Sequence, residues 1–230
     1  MKIILDDIEL TRDTWSLSAA GEIGPGIHLL TGGVGCGKST LALMLAGYFS
    51  PSSGTIVKEG ITSTMISFQF PEYHITGNTL ADECHSWGLD PRVILSREHI
   101  SRMQDASPLT LSRGELKRFH LACLLEKNYD LLILDEPFSS LDCCEKERFC
   151  RILSGRNQGI TFILTHEQSF FPRVDFLWEI RGGCLICLGR TPGAITRWEH
   201  APPVIKKLVG SGRAPVNLSS EDLLEAACRT

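Results

Sequence analysis

The sequence predicts an α/β fold, a mostly parallel sheet with helices, joined by an N-terminal antiparallel β subdomain and a small helical insertion. Three observations carry this expectation. Residues 131–134 and 161–164 are short, largely apolar runs of the kind buried on both faces of a parallel sheet. Stretches rich in helix formers alternate with them, which is the order of strand–helix–strand units. Between residues 71 and 108 the pattern changes to helical spacing, broken at Asp90-Pro91.

Composition narrows the class. The chain has 230 residues, 43% of them hydrophobic, and a net charge of −4 from 23 basic and 27 acidic side chains. That is ordinary globular usage with room for a large core. No basic run is present, so no nucleic-acid partner is expected. No apolar stretch approaches the roughly 20 residues that span a bilayer, so direct membrane insertion is not expected either. The N-terminus meets Asp6 and Asp7 too early for a signal peptide. A cytoplasmic protein follows, attached to a membrane only through a partner. Nine cysteines include the adjacent Cys143 and Cys144 and a C-x-x-C at Cys184 and Cys187. A zinc ribbon needs a second such pair, so reduced thiols are favoured over a metal or redox role.

The elements follow in order. Ile4, Ile8 and Leu10, then Trp15, Leu17 and Ala19, give the alternation of two antiparallel strands, with a turn across 11–14. Gly24-Pro25-Gly26 punctuates, and 27–31 is a short buried strand. Residues 40–48 form a helix, 51–54 a turn, and 55–58 and 65–68 strands. Residues 111–126 read as a long helix and 143–153 as a crossover helix. Beyond Ala201-Pro202-Pro203 a tail carries a short helix at 220–227, capped by Ser219 or Ser220.

Two motifs carry chemistry. Gly32-Gly33-Val34-Gly35-Cys36-Gly37-Lys38-Ser39 fits G-x-x-x-x-G-K-[ST] between a predicted strand and a predicted helix that runs on through Thr40. This makes the fold one of P-loop NTPase type. Glycines let the backbone aim N–H groups at phosphate oxygens, and the helix N-terminus adds favourable partial charge. Lys38 would reach the β- and γ-phosphates, and the Ser39 hydroxyl would ligate Mg²⁺. The second motif is the apolar run 131–134 ending in Asp135 and Glu136. A buried strand emerging beside the phosphate loop would bring Asp135 to Mg²⁺ and let Glu136 orient or deprotonate an attacking water.

With these in place the chain resembles the ATP-binding-cassette (ABC) ATPases. Leu111-Ser112-Arg113-Gly114-Glu115 resembles the family signature LSGGQ, twenty residues before Leu131. Phe138-Ser139-Ser140-Leu141-Asp142 is similar to the D-loop, Leu164-Thr165-His166 to the switch histidine, and Gln69 to the Q-loop glutamine. The resemblance implies a cassette over residues 1–200, with a helical subdomain at about 71–127, and a C-terminal extension over 201–230. It implies ATP and Mg²⁺ as cofactors and a head-to-tail dimer with a second cassette, of the same or a paralogous chain. Ser112 and the Gly114 N–H would then touch the γ-phosphate held by the partner. His166 would hold γ-phosphate and water in line, Gln69 would contact Mg²⁺, and Asp142 would sit at the dimer seam, or serve as an ordinary helix cap. The adenine platform expected upstream falls to Trp15, with a core strand residue as the plainer reading and Arg12 as an alternative stacker.

Departures are visible. Arg113 replaces the first signature glycine and would crowd the loop if that glycine used positive φ, or else add a cation there. Glu115 replaces glutamine. Gln69-Phe70-Pro71-Glu72, Thr79-Leu80-Ala81-Asp82-Glu83 and the tail are similar to energy-coupling-factor (ECF) ATPases, including the cobalt- and nickel-uptake type. Yet the 42 positions from Gln69 to Leu111 are about one helix short for that group. The expected function is the ATP-hydrolysing subunit of a membrane importer for a vitamin or metal ion, working with a transmembrane subunit. The alternatives are a soluble ABC ATPase of cofactor assembly, DNA repair or translation, and a non-hydrolysing regulatory cassette.

Overall fold

The computed structural model describes residues 1–12 and 15–228. Asp13 and Thr14, half of the expected turn at 11–14, lie outside the described residues. Among those described, nine strands form one sheet in the order β4-β1-β2-β9-β8-β3-β7-β6-β5. They are β1 (Lys2–Arg12), β2 (Trp15–Ile23), β3 (Gly26–Gly32), β4 (Ser53–Glu59), β5 (Thr64–Ser67), β6 (Leu131–Asp135), β7 (Ile160–Leu164), β8 (Phe176–Arg181) and β9 (Cys184–Arg190). The helices are α1 (Lys38–Ala46), α2 (Leu80–Ser86), α3 (Pro91–Arg97), α4 (Arg113–Leu125), α5 (Cys143–Ser154), α6 (Pro203–Gly210) and α7 (Ser220–Cys228).

The sheet has two characters. β5, β6, β7, β3 and β8 run parallel, and β6 and β7 are buried at every residue, as their apolar runs require. β1, β2 and β4 pair antiparallel with one face wet, which is why their sequences alternate. A single residue pair, Ser18 opposite Cys184, joins the two halves. There Ser18 N–H donates to the Gly183 carbonyl at 2.7 Å. Gly183 sits at φ +79°, where a Cβ would come within 2.4 Å of the Ser16 carbonyl oxygen, so the seam needs glycine.

The β4–β5 connection bends this sheet. These strands are its opposite edges, yet only residues 60–63 lie between them. Five Cα–Cα steps span at most about 19 Å. Eight flat inter-strand intervals would need roughly 38 Å. The sheet therefore curls until its edges approach, with α1 inside the curl. One cluster of buried residues accordingly joins Leu5, Leu17, Leu41, Leu45, Ile66 and Phe162, drawn from both halves and from α1.

A second cluster lies on the other face of the parallel strands and takes in Phe149 of α5 and Ile205 of α6. The insertion has a third core of its own, including Leu80, Ile94, Leu116 and Phe119. Its helices start where short polar side chains cap them. Thr79 and Asp82 form a reciprocal box at α2, and Asp90 caps α3 ahead of Pro91. Among the described residues no helix is long and apolar enough to cross a membrane. All nine cysteines are free.

Candidate functional site

The phosphate loop lies between β3 and α1. Lys38 Nζ donates to the carbonyl oxygens of Gly32 (2.9 Å) and Gly33 (3.0 Å) and lies 3.9 Å from Cys36 Sγ, which closes the loop into a ring. Gly37, at φ +104°, is the N-cap of α1 and offers no side-chain cap, and the first turn contains no acid. The amide groups opening α1 therefore have no internal anion, the condition for receiving one.

Trp15 packs directly on this loop. A Cβ at Gly37 would lie 2.3 Å from the Trp15 ring, so Gly37 satisfies both the backbone turn and a close approach. Trp15 is half-buried and lines the same cleft as the loop, between the two readings its sequence position allowed. Arg12 also lines the cleft, with its guanidinium 5.5 Å over the Phe49 ring.

The carboxylates arrive at the end of β6. Asp135 is buried beside the Ser39 hydroxyl, and burial pushes its carboxyl above the usual range against the pull of that hydroxyl and of Lys117 and Lys38. A buried carboxylate short of positive charge next to a serine hydroxyl suits a divalent cation. Among the described residues no three His, Cys, Asp or Glu side chains form a metal cluster.

Glu136 adopts φ +48°, a left-handed conformation uncommon for a side-chain-bearing residue. Its N–H donates to the Leu164 carbonyl at 2.9 Å. Its carboxylate accepts from the Thr165 hydroxyl (3.0 Å) and the His166 N–H (3.0 Å), with His166 Nδ1 at 2.7 Å. The register that sets Asp135 opposite Leu164 delivers this contact. Thr165 was not singled out in the sequence; its position beside the histidine was the available signal.

These groups meet in one cleft of about 480 Å³. Val34, Gly35, Gly37, Lys38, Ser39 and Thr40 line it, with Gln69, Asp135, Glu136 and His166 facing them. Gly32, Gly33 and Cys36 stand behind the loop as the partners of Lys38.

Ser112 and Gly114 do not line that cleft. Ser112 caps α4, its hydroxyl donating to Glu115 Oε2 at 2.6 Å while its N–H bonds the same carboxylate at 2.9 Å. These bonds hold the Glu115 carboxyl below its usual range. Arg113 is the first helical residue and has no positive φ, so the crowding that depended on such a φ does not arise. At Gly114 a Cβ would come within 2.9 Å of the Ser140 carbonyl oxygen, which ties the signature to the segment after Glu136. Asp142 caps α5, accepting from Glu145 N–H at 2.9 Å.

A phosphate loop, a strand ending in paired carboxylates and a facing histidine define a P-loop nucleotide-hydrolysing site. Comparison with known proteins makes the assignment specific. The ABC transporter family profile matches residues 22–139, just over half of the chain. The energy-coupling factor transporter ATP-binding protein EcfA2 of Thermotoga maritima is 28% identical, with 88% of this chain and 86% of that protein covered. EcfA1 of the same organism is 28% identical over 69% of each. A solved structure of cbiO1 from Clostridium perfringens, part of the cbiONQ ABC transporter complex, has a TM-score of 0.65 at 22% identity, with 90% of this chain and 93% of that chain covered. The chain belongs to the ABC transporter family. It is accordingly an ATP-binding ATPase whose hydrolysis is coupled to transport.

Proposed function

We propose that the chain is the ATP-hydrolysing subunit of an ECF-type importer for a vitamin or metal ion. It acts as a head-to-tail dimer with a second cassette and is held at the inner face of the membrane by a transmembrane subunit. The observation that carries the ATPase half is the convergence of the phosphate loop, Asp135, Glu136, Gln69 and His166 in one cleft. The importer half is supported by the ECF relatives and by the Gln69-Phe70-Pro71-Glu72 stretch. Residues 1–200 are read as the cassette, 71–127 as its helical subdomain and 201–230 as an extension.

The chain's residues would divide the work as follows. Residues 32–40 bind the phosphates, and Lys38 exchanges its two carbonyl partners for phosphate oxygens. Trp15 gives the adenine an aromatic face. Mg²⁺, held by Ser39, Asp135 and Gln69, would neutralise charge on the phosphates. Glu136 takes the proton of the attacking water, while the Thr165 hydroxyl and His166 N–H fix the direction of its carboxylate. His166 holds the γ-phosphate in line. Ser112 and Gly114 lie outside this chain's cleft and would serve the phosphate of the other cassette.

The test is a pull-down from gently solubilised native membranes with tagged Glu136→Gln protein, ATP and Mg²⁺, read by mass spectrometry. A polytopic membrane protein, with or without a second cassette, is the expected partner. Recovery of soluble partners alone would sink the importer reading and favour a soluble ABC ATPase.

A further inference from the structure

The segment carrying Gln69 is gripped by side chains that do not line the nucleotide cleft. Lys117 of α4 donates from Nζ to the carbonyl oxygens of Phe68 (3.2 Å) and Gln69 (3.1 Å). From the other side His74 Nε2 accepts from the Phe68 N–H at 3.0 Å. The backbone on both sides of the Gln69 N–H is thus held by two side chains, one of them five residues downstream and one on the signature helix.

The grip is itself braced. The His74 ring stacks between Phe68 (5.0 Å, 19°) and His120 (4.6 Å, 19°). His120 stands one turn beyond Lys117 on α4, and its Nε2 lies 3.0 Å from the Ser67 hydroxyl. Trp87 closes the far side edge-on at 5.7 Å. Lys117 is 1% exposed, and burial lowers its pKa to about 8. Core packing does not explain this residue, since an apolar side chain of similar length would fill the space without the cost of burying an ammonium. Its two bonds to successive carbonyls do explain it.

We propose that Lys117 and His74 are positioning residues for Gln69, clamping its loop to the signature helix so that the two move as one piece. The clamp makes the placement of Gln69 depend on α4, and the attitude of Ser112 at the head of α4 depend on what Gln69 touches. The inference rests on the role given to Gln69 above.

Two measurements test it. The first is amide hydrogen exchange on the nucleotide-free chain. Lys117→Met and His74→Ala should each speed exchange at the Phe68 amide by tenfold or more, with residues 131–135 unchanged. His74→Gln, which restores an acceptor, should recover much of the protection, and Lys117→Gln, which keeps two neutral donors on a shorter side chain, should fall between. The second is the Mg²⁺ concentration giving half-maximal ATPase rate. Lys117→Met should raise it several-fold in the native background and not raise it in a Gln69→Ala background, where only the loss of a positive charge near Asp135 remains, a change that favours the cation. Unchanged exchange at the Phe68 amide in both variants, or equal Mg²⁺ shifts in both backgrounds, overturns the clamp. Should Gln69→Ala itself leave turnover and Mg²⁺ dependence as in the native chain, the role of Gln69 fails, and the exchange result still decides whether the clamp exists.

Discussion

Two helix N-termini in this molecule are finished in opposite ways. α1 begins at a glycine with no side-chain cap and no acid in its first turn, and its free amides open into the cleft. α4 begins at Ser112 inside a complete capping box, with the Glu115 carboxylate already bonded to the Ser112 hydroxyl and N–H. The first end lacks an anion until nucleotide supplies one. The second carries its own, so a phosphate approaching Ser112 must compete with it. In the dimer proposed above, nucleotide capture falls to one chain alone, and engagement of the signature is conditional. That ordering suits a cassette meant to close only when ATP is already in place.

The comparison breaks most decisively at Glu136. Glu136→Gln should cut turnover by about 10²–10⁴-fold while ATP affinity, an α1 property, stays within about twofold. Turnover near native under saturating ATP would remove Glu136 from the role of base.

The next effect concerns the strand beneath α1. His28 of β3 is buried, accepts from the Trp178 indole N–H at 3.0 Å and has its other nitrogen 2.8 Å from the Gly24 carbonyl. Burial lowers its pKa to about 4, so the folded state resists the proton that the unfolded chain accepts near 6.5. Stability is complete above pH 6.5 and is lost as pH falls from there to about 4, by about 3 kcal/mol for this residue. Urea unfolding of the native chain and of His28→Gln at pH 7 and pH 4.5 measures it. Parallel losses in both proteins would refute the assignment.

Gly37→Ala sharpens the open end itself. The new Cβ meets both the Trp15 ring and an unfavourable φ, a strain of about 1–3 kcal/mol. ATP affinity should fall tenfold or more by titration calorimetry. Adding Trp15→Ala should return the steric share of the lost stability in urea unfolding while lowering ATP affinity further, because the adenine loses its aromatic face.

The smallest effect probes the self-capped end. Glu115→Gln keeps a capping side chain but removes its charge, and should raise the ATP-dependent dimer fraction of Glu136→Gln protein by a few-fold in analytical ultracentrifugation. Arg113→Gly should change little, since Arg113 occupies ordinary helical backbone. Equal effects of the two substitutions would mean that charge at Glu115 does not govern this end.

Much of this was legible in the sequence, because the phosphate loop, the Asp135–Glu136 strand end and His166 are local patterns whose chemistry depends on spacing. The strands at 131–135 and 160–164 are apolar throughout, so burial could be read directly. What escaped was non-local. The β8–β9 hairpin has a Gly182-Gly183 turn signal, but its place between β2 and β3 depends on distant pairings, Ser18 with Cys184 and His28 with Phe176. Lys117 reads as a surface lysine in a helix, and only the packing of α4 against the Gln69 loop turns it inward. Nor does composition show that Trp15 would rest on Gly37, which needs the curl of the whole sheet.

That curl has a topological consequence. Residues 60–63 fasten one edge of the sheet to the other, so the backbone makes a closed hoop around α1. Cutting the chain there would leave every strand pair intact while unfastening the hoop. The nucleotide's seat would then change from a threaded axle to a cradle open along one side.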